Sequence, residues 1–163
     1  KFIDKLQTLI DSPETLEATV HQALANNLWV FGYEYSHFIS NQSLKKACQQ
    51  LCDKIYSGEN ANKRPDLFLG MAFNRERLLI EFKRPSHTLT RIDEAQAQRY
   101  RDELSTMFPN DRIIVKLIGG SSGGKIRQMN NANDLTYHSY AEIISNARAN
   151  FEWLINELTQ SNR

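Results

Sequence analysis

Two apolar runs separated by a short polar segment are the feature that most restricts how this chain can fold. The runs are DLFLGMAF and LLIEFKR, and the polar NRER between them has the length of a hairpin turn. Runs of this length that are bounded by polar residues are typical of strands. A lone hairpin is at best marginally stable in water, so further strands or helices must cover its apolar faces.

The rest of the chain supplies such elements. RIIVKLIGG and LTYH predict two more strands, and LWVFGYEY, Leu28 to Tyr35, predicts a short strand or a buried turn. Apolar residues at helical spacing predict helices near the N-terminus and over 13–26, 43–56, 91–107 and from about 139 onwards. Ser12 before Pro13 has the pattern of an N-cap followed by proline at the first helical position. Helices around a small central sheet place the chain in the α/β or α+β class.

Composition sets limits on function and location. No apolar run is long enough to cross a membrane, so no membrane partner is expected. The cysteines, Cys48 and Cys52, lack the spacing of a zinc site, and as small core residues they favour a reducing, cytoplasmic compartment. The chain begins at Lys1 and not at methionine, which suggests a domain of a longer protein.

Positive charge is concentrated in the middle of the chain. The net charge is +1 overall, but it is +5 between Lys63 and Arg127 and −4 in the remainder. A polyanionic partner is one explanation, and a solvated surface of mixed sign is the other.

The second strand of the hairpin carries an acid and a lysine where only apolar residues would be needed for packing. Glu81 and Lys83 are two residues apart and therefore project from the same face of the strand. Asp66, at the start of the partner strand, should lie roughly opposite them. Two nearby carboxylates repel each other unless a cation lies between them, and Mg²⁺ prefers oxygen ligands. The group suits metal-assisted phosphodiester hydrolysis; a Glu81–Lys83 ion pair on a solvated sheet face is the alternative.

The surrounding motifs resemble those of a known superfamily. Arg64-Pro65-Asp66, the hairpin, and Glu81-Phe82-Lys83 resemble the PD-(D/E)XK nucleases, and Gln96 to Tyr100 resembles the Q-x-x-x-Y motif of RecB-like members. The order LWVFG, IEFKRP, DEAQAQRY, VKLIGG and LTYHSYAEII is most similar to the nuclease domain of the Shedu family, which protects bacteria against phage.

The resemblance implies a restriction-endonuclease-like domain over 13–163, with a mixed sheet of about four strands. Residues 1–12 would be an N-terminal helix or a linker from a preceding domain. It also implies Mg²⁺-dependent cleavage of DNA, with Mn²⁺ as a substitute. Asp66 and Glu81 would bind the metal, with Glu17 as an auxiliary acid. Lys83 would orient the attacking water or stabilise charge. Gln96 and Tyr100 would shape the site, although Tyr100 could instead be a packed ring with its hydroxyl satisfied.

Basic residues near these motifs are the candidates for contacts to DNA phosphates. They are Arg64, Arg84, Arg91, Arg99, Lys125 and Arg127. Lys125 ends the segment Gly119–Lys125, which fits G-x-x-x-x-G-K, and Arg127 lies two residues further on. Ile126 occupies the place where a P-loop needs Ser or Thr, so a loop is predicted.

The long C-terminal helix has apolar residues on more than one side, and Phe151 and Trp153 point in different directions. Together with the Shedu resemblance, this predicts a homo-oligomer. Two other functions stay open. One is a nuclease of the same fold that acts in repair, restriction or junction resolution, and the other is a non-catalytic domain for nucleic-acid binding or oligomerisation.

Overall fold

The computed structural model describes residues 1–32, 50, 53–54, 67–71, 75–122 and 134–160. In chain order the elements are α1 (Phe2–Asp11), α2 (Glu17–Ala25), a 3₁₀ turn (Leu28–Phe31), β1 (Leu67–Met71), β2 (Glu76–Phe82), β3 (Thr88–Leu89), α3 (Arg91–Met107), β4 (Arg112–Gly119), β5 (Ser121–Ser122), β6 (Leu135–Ser139) and α4 (Tyr140–Gln160). Among these described helices, none combines the length and the apolar character needed to cross a bilayer.

A four-stranded mixed sheet forms the centre of the fold. Its strand order is β1-β2-β4-β6, with β1 antiparallel to β2 and the other neighbouring pairs parallel. Helices cover both faces. The structure therefore confirms the α/β class and the predicted mixed sheet of about four strands flanked by helices.

The alternation of β2 distributes its side chains between two hydrophobic clusters. Leu78, Ile80 and Phe82 pack with α1, α2, the 3₁₀ turn and α4. Leu79, on the other face, packs with α3 and with alternate residues of β4 and β6. Both faces of β2 are covered by helices, which explains why five of its seven residues are buried.

Most of the predicted elements occur where the sequence places them. Helix α3 has the predicted bounds, and the hairpin strands and both later strands are present. The predicted start of the second helix is wrong. Ser12 is extended and caps the end of α1, and Thr15 N–H donates to the Ser12 carbonyl in a turn, so α2 begins only at Glu17. LWVFG forms the 3₁₀ turn, and the helix predicted over 43–56 falls almost wholly outside the described residues.

A second, two-stranded sheet was not predicted. Strands β3 and β5 pair in parallel, and Gly120 N–H donates to the His87 carbonyl at 2.9 Å. The backbones approach so closely that a Cβ on Gly120 would lie 1.7 Å from the Pro85 carbonyl oxygen. A Cβ on Gly119 would instead meet the side chain of Leu89 at 2.7 Å. The glycines thus let the loop after β2 pack against the end of β4.

The two glycines make a matched pair for testing this contact. Gly120→Ala forces backbone against backbone, so we expect it to lower the free energy of unfolding by about 2–3 kcal/mol. Gly119→Ala presses mainly on a side chain that can move, and it should cost about 1 kcal/mol or less. Urea unfolding of both variants measures the difference, and equal losses would contradict the backbone contact as the cause.

Candidate active site

Glu81 and Lys83 lie on the face of the sheet that is covered by α3. Glu81 follows Leu79 by two residues, so it shares the face that packs on α3. Its side chain is only 4% exposed although it is ionisable. The structure therefore differs from the alternative of a solvated ion pair, because this face is covered.

Lys83 joins the strand to the helix. Its Nζ donates to Glu81 Oε1 at 3.2 Å and to Gln96 Oε1 at 3.0 Å. Gln96 in turn donates from Nε2 to the Tyr100 hydroxyl at 3.0 Å. Four of the residues singled out in the sequence thus form one connected hydrogen-bonded chain.

The periodicity of α3 explains why Gln96 and Tyr100 take part. They are four residues apart and lie one above the other on the helix surface. Tyr100 is 1% exposed and belongs to the core, so its ring is packed and its hydroxyl accepts the Gln96 amide. Tyr100 therefore acts on the site through the orientation of Gln96.

The backbone of Lys83 is held as firmly as its side chain. Its N–H donates to the Ile118 carbonyl at 2.8 Å, which extends the pairing of β2 with β4 by one residue. Its carbonyl accepts a hydrogen bond from the Tyr140 hydroxyl at the start of α4. Hydrogen bonds to both the backbone and the ammonium group limit the movement of Lys83, so its charge is pre-organised.

The energetics of this pair favour a functional role. The side chains of Glu81 and Lys83 are 5% and 16% exposed, so both charges have lost most of their hydration. The attraction in such a pair often fails to repay the desolvation, and apolar residues of similar volume are commonly as stabilising or more so. The pair is therefore poorly explained as a device for stability.

Glu17 is the first residue of α2, which packs on the opposite face of the sheet from Glu81. One turn later, the His21 ring stacks on Phe82 at 5.4 Å between centroids. Helix α2 thus reaches the end of β2, one residue from Glu81 in the chain.

Several predicted site residues fall outside the described part of the chain, namely Asp66, Arg64, Lys125 and Arg127. The register of the hairpin bears on Asp66 indirectly. Leu67, which follows Asp66, pairs with Ile80, which precedes Glu81. Within the described ranges, no three His, Cys, Asp or Glu side chains converge as metal ligands would. The buried carboxylate of Glu81 is nevertheless the kind of oxygen donor that Mg²⁺ prefers.

The remaining predicted arginines differ in position. Arg84 and Arg99 are exposed; Arg84 follows Lys83 in the chain, and Arg99 lies three residues after Gln96 on α3. Arg91 is half-exposed at the start of α3 and donates to Glu94 Oε2 at 3.2 Å.

Two buried acids of α3 were missed by the sequence reasoning. Asp93 accepts hydrogen bonds from Thr90 N–H and bonds the His87 ring, each at 2.8 Å. The Thr90-x-x-Asp93 pattern before a helix is a capping signal that could have identified it. Glu94 bonds Tyr137, and burial, followed by this hydrogen bond, raises the pKa of the Tyr137 hydroxyl. No local sequence pattern marks that contact across the fold.

Two cavities lie on the α4 side of the sheet, away from Lys83. One of about 310 Å³ is bordered by α1, Trp29 and Phe151. The other, of about 220 Å³, is lined partly by Lys116 and His138, and burial, together with the charge of Lys116, lowers the pKa of His138. Neither of these two cavities is lined by a residue of the Glu81–Lys83–Gln96 group.

Asp93 provides a test of the pH dependence of stability. Burial by itself would raise the pKa of Asp93, but the hydrogen bonds from His87 and Thr90 outweigh it and bring the pKa below 3.8. A carboxyl whose pKa is lowered by folding stabilises the protein above its unfolded pKa, and this stability is lost as the pH falls through the folded pKa. We therefore expect Asp93→Asn to be less stable at pH 7 and to lose less stability below about pH 4.

Urea unfolding between neutral and acid pH measures this difference. Asp102→Asn is the matched control, because Asp102 lies on the same helix with its side chain 68% exposed. If Asp93→Asn and wild type lose stability in parallel as the pH falls, Asp93 does not carry the effect.

Comparison of the chain with protein-family models, with curated proteins and with solved structures found no match. The resemblance to the PD-(D/E)XK nucleases is therefore carried by the motifs of this chain. The contacts between Glu81, Lys83, Gln96 and Tyr100 are the structural observations that bear on it.

Proposed function

We propose that this domain is a metal-dependent DNA endonuclease that hydrolyses phosphodiester bonds in the manner of the PD-(D/E)XK nucleases. The observation that carries the proposal is the position of Lys83 Nζ, which is held between Glu81 Oε1 and Gln96 Oε1 on a rigid strand. The Shedu resemblance extends the proposal to bacterial defence against phage or other foreign DNA, within the cytoplasm.

The proposed metal ligands are Asp66 and Glu81, with Glu17 as an auxiliary acid. Asp66 immediately precedes β1 in the sequence, and Leu67 of that strand pairs with Ile80, the residue before Glu81. A bound Mg²⁺, or Mn²⁺ in its place, would polarise the phosphate and lower the pKa of a coordinated water. Glu81 has the required donor chemistry, since its carboxylate offers oxygen ligands of the kind that Mg²⁺ prefers.

The chain's own residues then have separate tasks. Lys83 presents a positive charge to the phosphate and can orient the attacking water. Gln96 fixes the lysine ammonium through its carbonyl oxygen, and Tyr100 fixes the Gln96 amide. This division explains why an amide and a phenol accompany an acid and a lysine on the same face of the fold.

The exposed end of α4 supports a homo-oligomer. Phe151, Ile155 and Leu158 lie on one stripe of the helix, and each is about half-exposed. Trp153 is 60% exposed and projects from another side. An assembly with two sites would be able to cut both strands of a duplex.

The first test replaces Lys83. Lys83→Ala should still fold but with a lower melting temperature, since it leaves the buried Glu81 carboxylate without its cation. It should lower the rate of DNA cleavage by about a hundredfold or more, because one charge-stabilising or proton-transferring group is lost. The measurements are the melting temperature and the rate of nicking of supercoiled DNA, with Mg²⁺, with Mn²⁺ and with EDTA.

Arg112→Ala is the matched control for this test. Arg112 Nη1 forms an ion pair with Glu76 at 3.1 Å at the opposite end of β2, so the variant also removes a cation from a pair that involves this strand. It should cut DNA at the wild-type rate. If Lys83→Ala also cuts at that rate, or if wild type cuts no form of DNA with either metal, the nuclease proposal fails.

The second test concerns contact with the DNA backbone. Each lost phosphate contact lowers the salt dependence of binding, so Arg84→Ala and Arg99→Ala should each reduce the slope of log K against log [salt] by about one. Arg148→Ala is the control, because Arg148 binds Asp4 on the other side of the sheet. Binding measured without metal over a range of salt concentrations separates the variants, and a slope of zero for wild type would contradict the electrostatic contact.

A further inference from the structure

A histidine–aspartate pair lies beside the proposed site and has no part in the function described so far. His87 Nε2 and Asp93 Oδ2 are 2.8 Å apart. Asp93 is 7% exposed and is held by the Thr90 N–H, so it presents a fixed carboxylate to the ring. The His87 side chain is 37% exposed, which leaves part of the imidazole accessible from outside.

The backbone fixes His87 as well. Its N–H donates to the Arg84 carbonyl and its carbonyl accepts from Gly120 N–H, both at 2.9 Å. The close packing of Gly120 under Pro85 leaves this loop little room to shift. The ring is therefore held through its main chain and through Asp93 together.

Helix α3 places this pair next to Lys83. Asp93 and Gln96 are three residues apart, so their side chains are neighbours on the helix with Cβ atoms about 5–6 Å apart. Gln96 holds Lys83 and Asp93 holds His87. The His87 ring and the Lys83 ammonium thus bind two adjacent positions on one face of the helix.

We propose that His87 is the proton donor to the leaving oxygen in the phosphodiester hydrolysis proposed above, with Asp93 as its positioning residue. Nε2 faces Asp93, so Nδ1 is the nitrogen left to meet the substrate. The carboxylate complements the positive charge of an imidazolium. Among the described residues, the charged groups nearest in sequence to His87 and Asp93 are Lys83, Arg84, Arg91 and Glu94.

The proton balance of the step is complete. The water oxygen forms a bond to phosphorus while the bond from phosphorus to the leaving oxygen breaks, and that electron pair passes to the leaving oxygen. Nδ1 of the imidazolium gives its proton to this oxygen. The attacking water releases one proton to solvent, and the neutral imidazole takes one up from solvent before the next turnover.

A purely structural role is the competing explanation, because the pair also ties the loop to the start of α3. Sulfur in place of the leaving bridging oxygen separates the two, since a thiolate leaves without being protonated. We therefore compare His87→Gln with wild type on normal DNA and on DNA with a single bridging sulfur, placed on the 3′ side or the 5′ side of the phosphorus, in Mg²⁺ and in Mn²⁺.

On normal DNA we expect His87→Gln to be slower by about a hundredfold, within the range for loss of a general acid. On DNA with sulfur at the leaving position it should approach the wild-type rate. Asp93→Asn should show the same pattern with a smaller loss.

Other outcomes overturn the proposal. Wild-type rates for His87→Gln on normal DNA would exclude the role, and equal losses on both substrates would assign His87 to structure. In either case, a persistent requirement for Lys83 would leave the nuclease proposal standing. If Lys83→Ala cut DNA at the wild-type rate, or if wild type did not cut DNA, both the nuclease proposal and the role of His87 would be contradicted.

Discussion

The burial of one charged pair between the sheet and α3 is the constraint around which the site is arranged. Glu81 and Lys83 occupy a face that is otherwise apolar, and the covering helix supplies Gln96 as the partner that the lysine needs there. Without this amide, the ammonium would lose a hydrogen bond where water cannot fully replace it. Tyr100, which is packed in the core, ties the amide to the body of the protein. The site is thus continuous with the hydrophobic core.

On the opposite face of the sheet, β2 presents only apolar residues near the site. Ile80 and Phe82 alternate with Glu81 and Lys83 and pack into the cluster formed with α1, α2 and α4. A one-residue slip of β2 would exchange the two sets and bury the charges among apolar side chains. The apolar residues of β2 therefore fix the register on which the position of Lys83 depends.

Much of this arrangement could be predicted from periodicity. A period of two places Glu81 beside Lys83, and a spacing of four places Gln96 beside Tyr100. The contact between Lys83 and Gln96 joins residues 13 apart and depends on how α3 crosses the sheet, which no local pattern gives. The same holds for His87 with Asp93 and for Glu94 with Tyr137. The short sheet of β3 and β5 was missed because each strand has two residues, too few to show alternation.

Tyr140 connects α4 to the backbone of Lys83. It is the first residue of α4, and its hydroxyl bonds the backbone carbonyl of Lys83. The helix runs for 21 residues from there, which is about 30 Å at the usual rise per residue, and its far end bears the exposed Phe151, Ile155 and Leu158. The first residue of this helix is thus hydrogen-bonded to the strand that carries Lys83. One continuous helix therefore links the backbone of Lys83 to the exposed apolar residues.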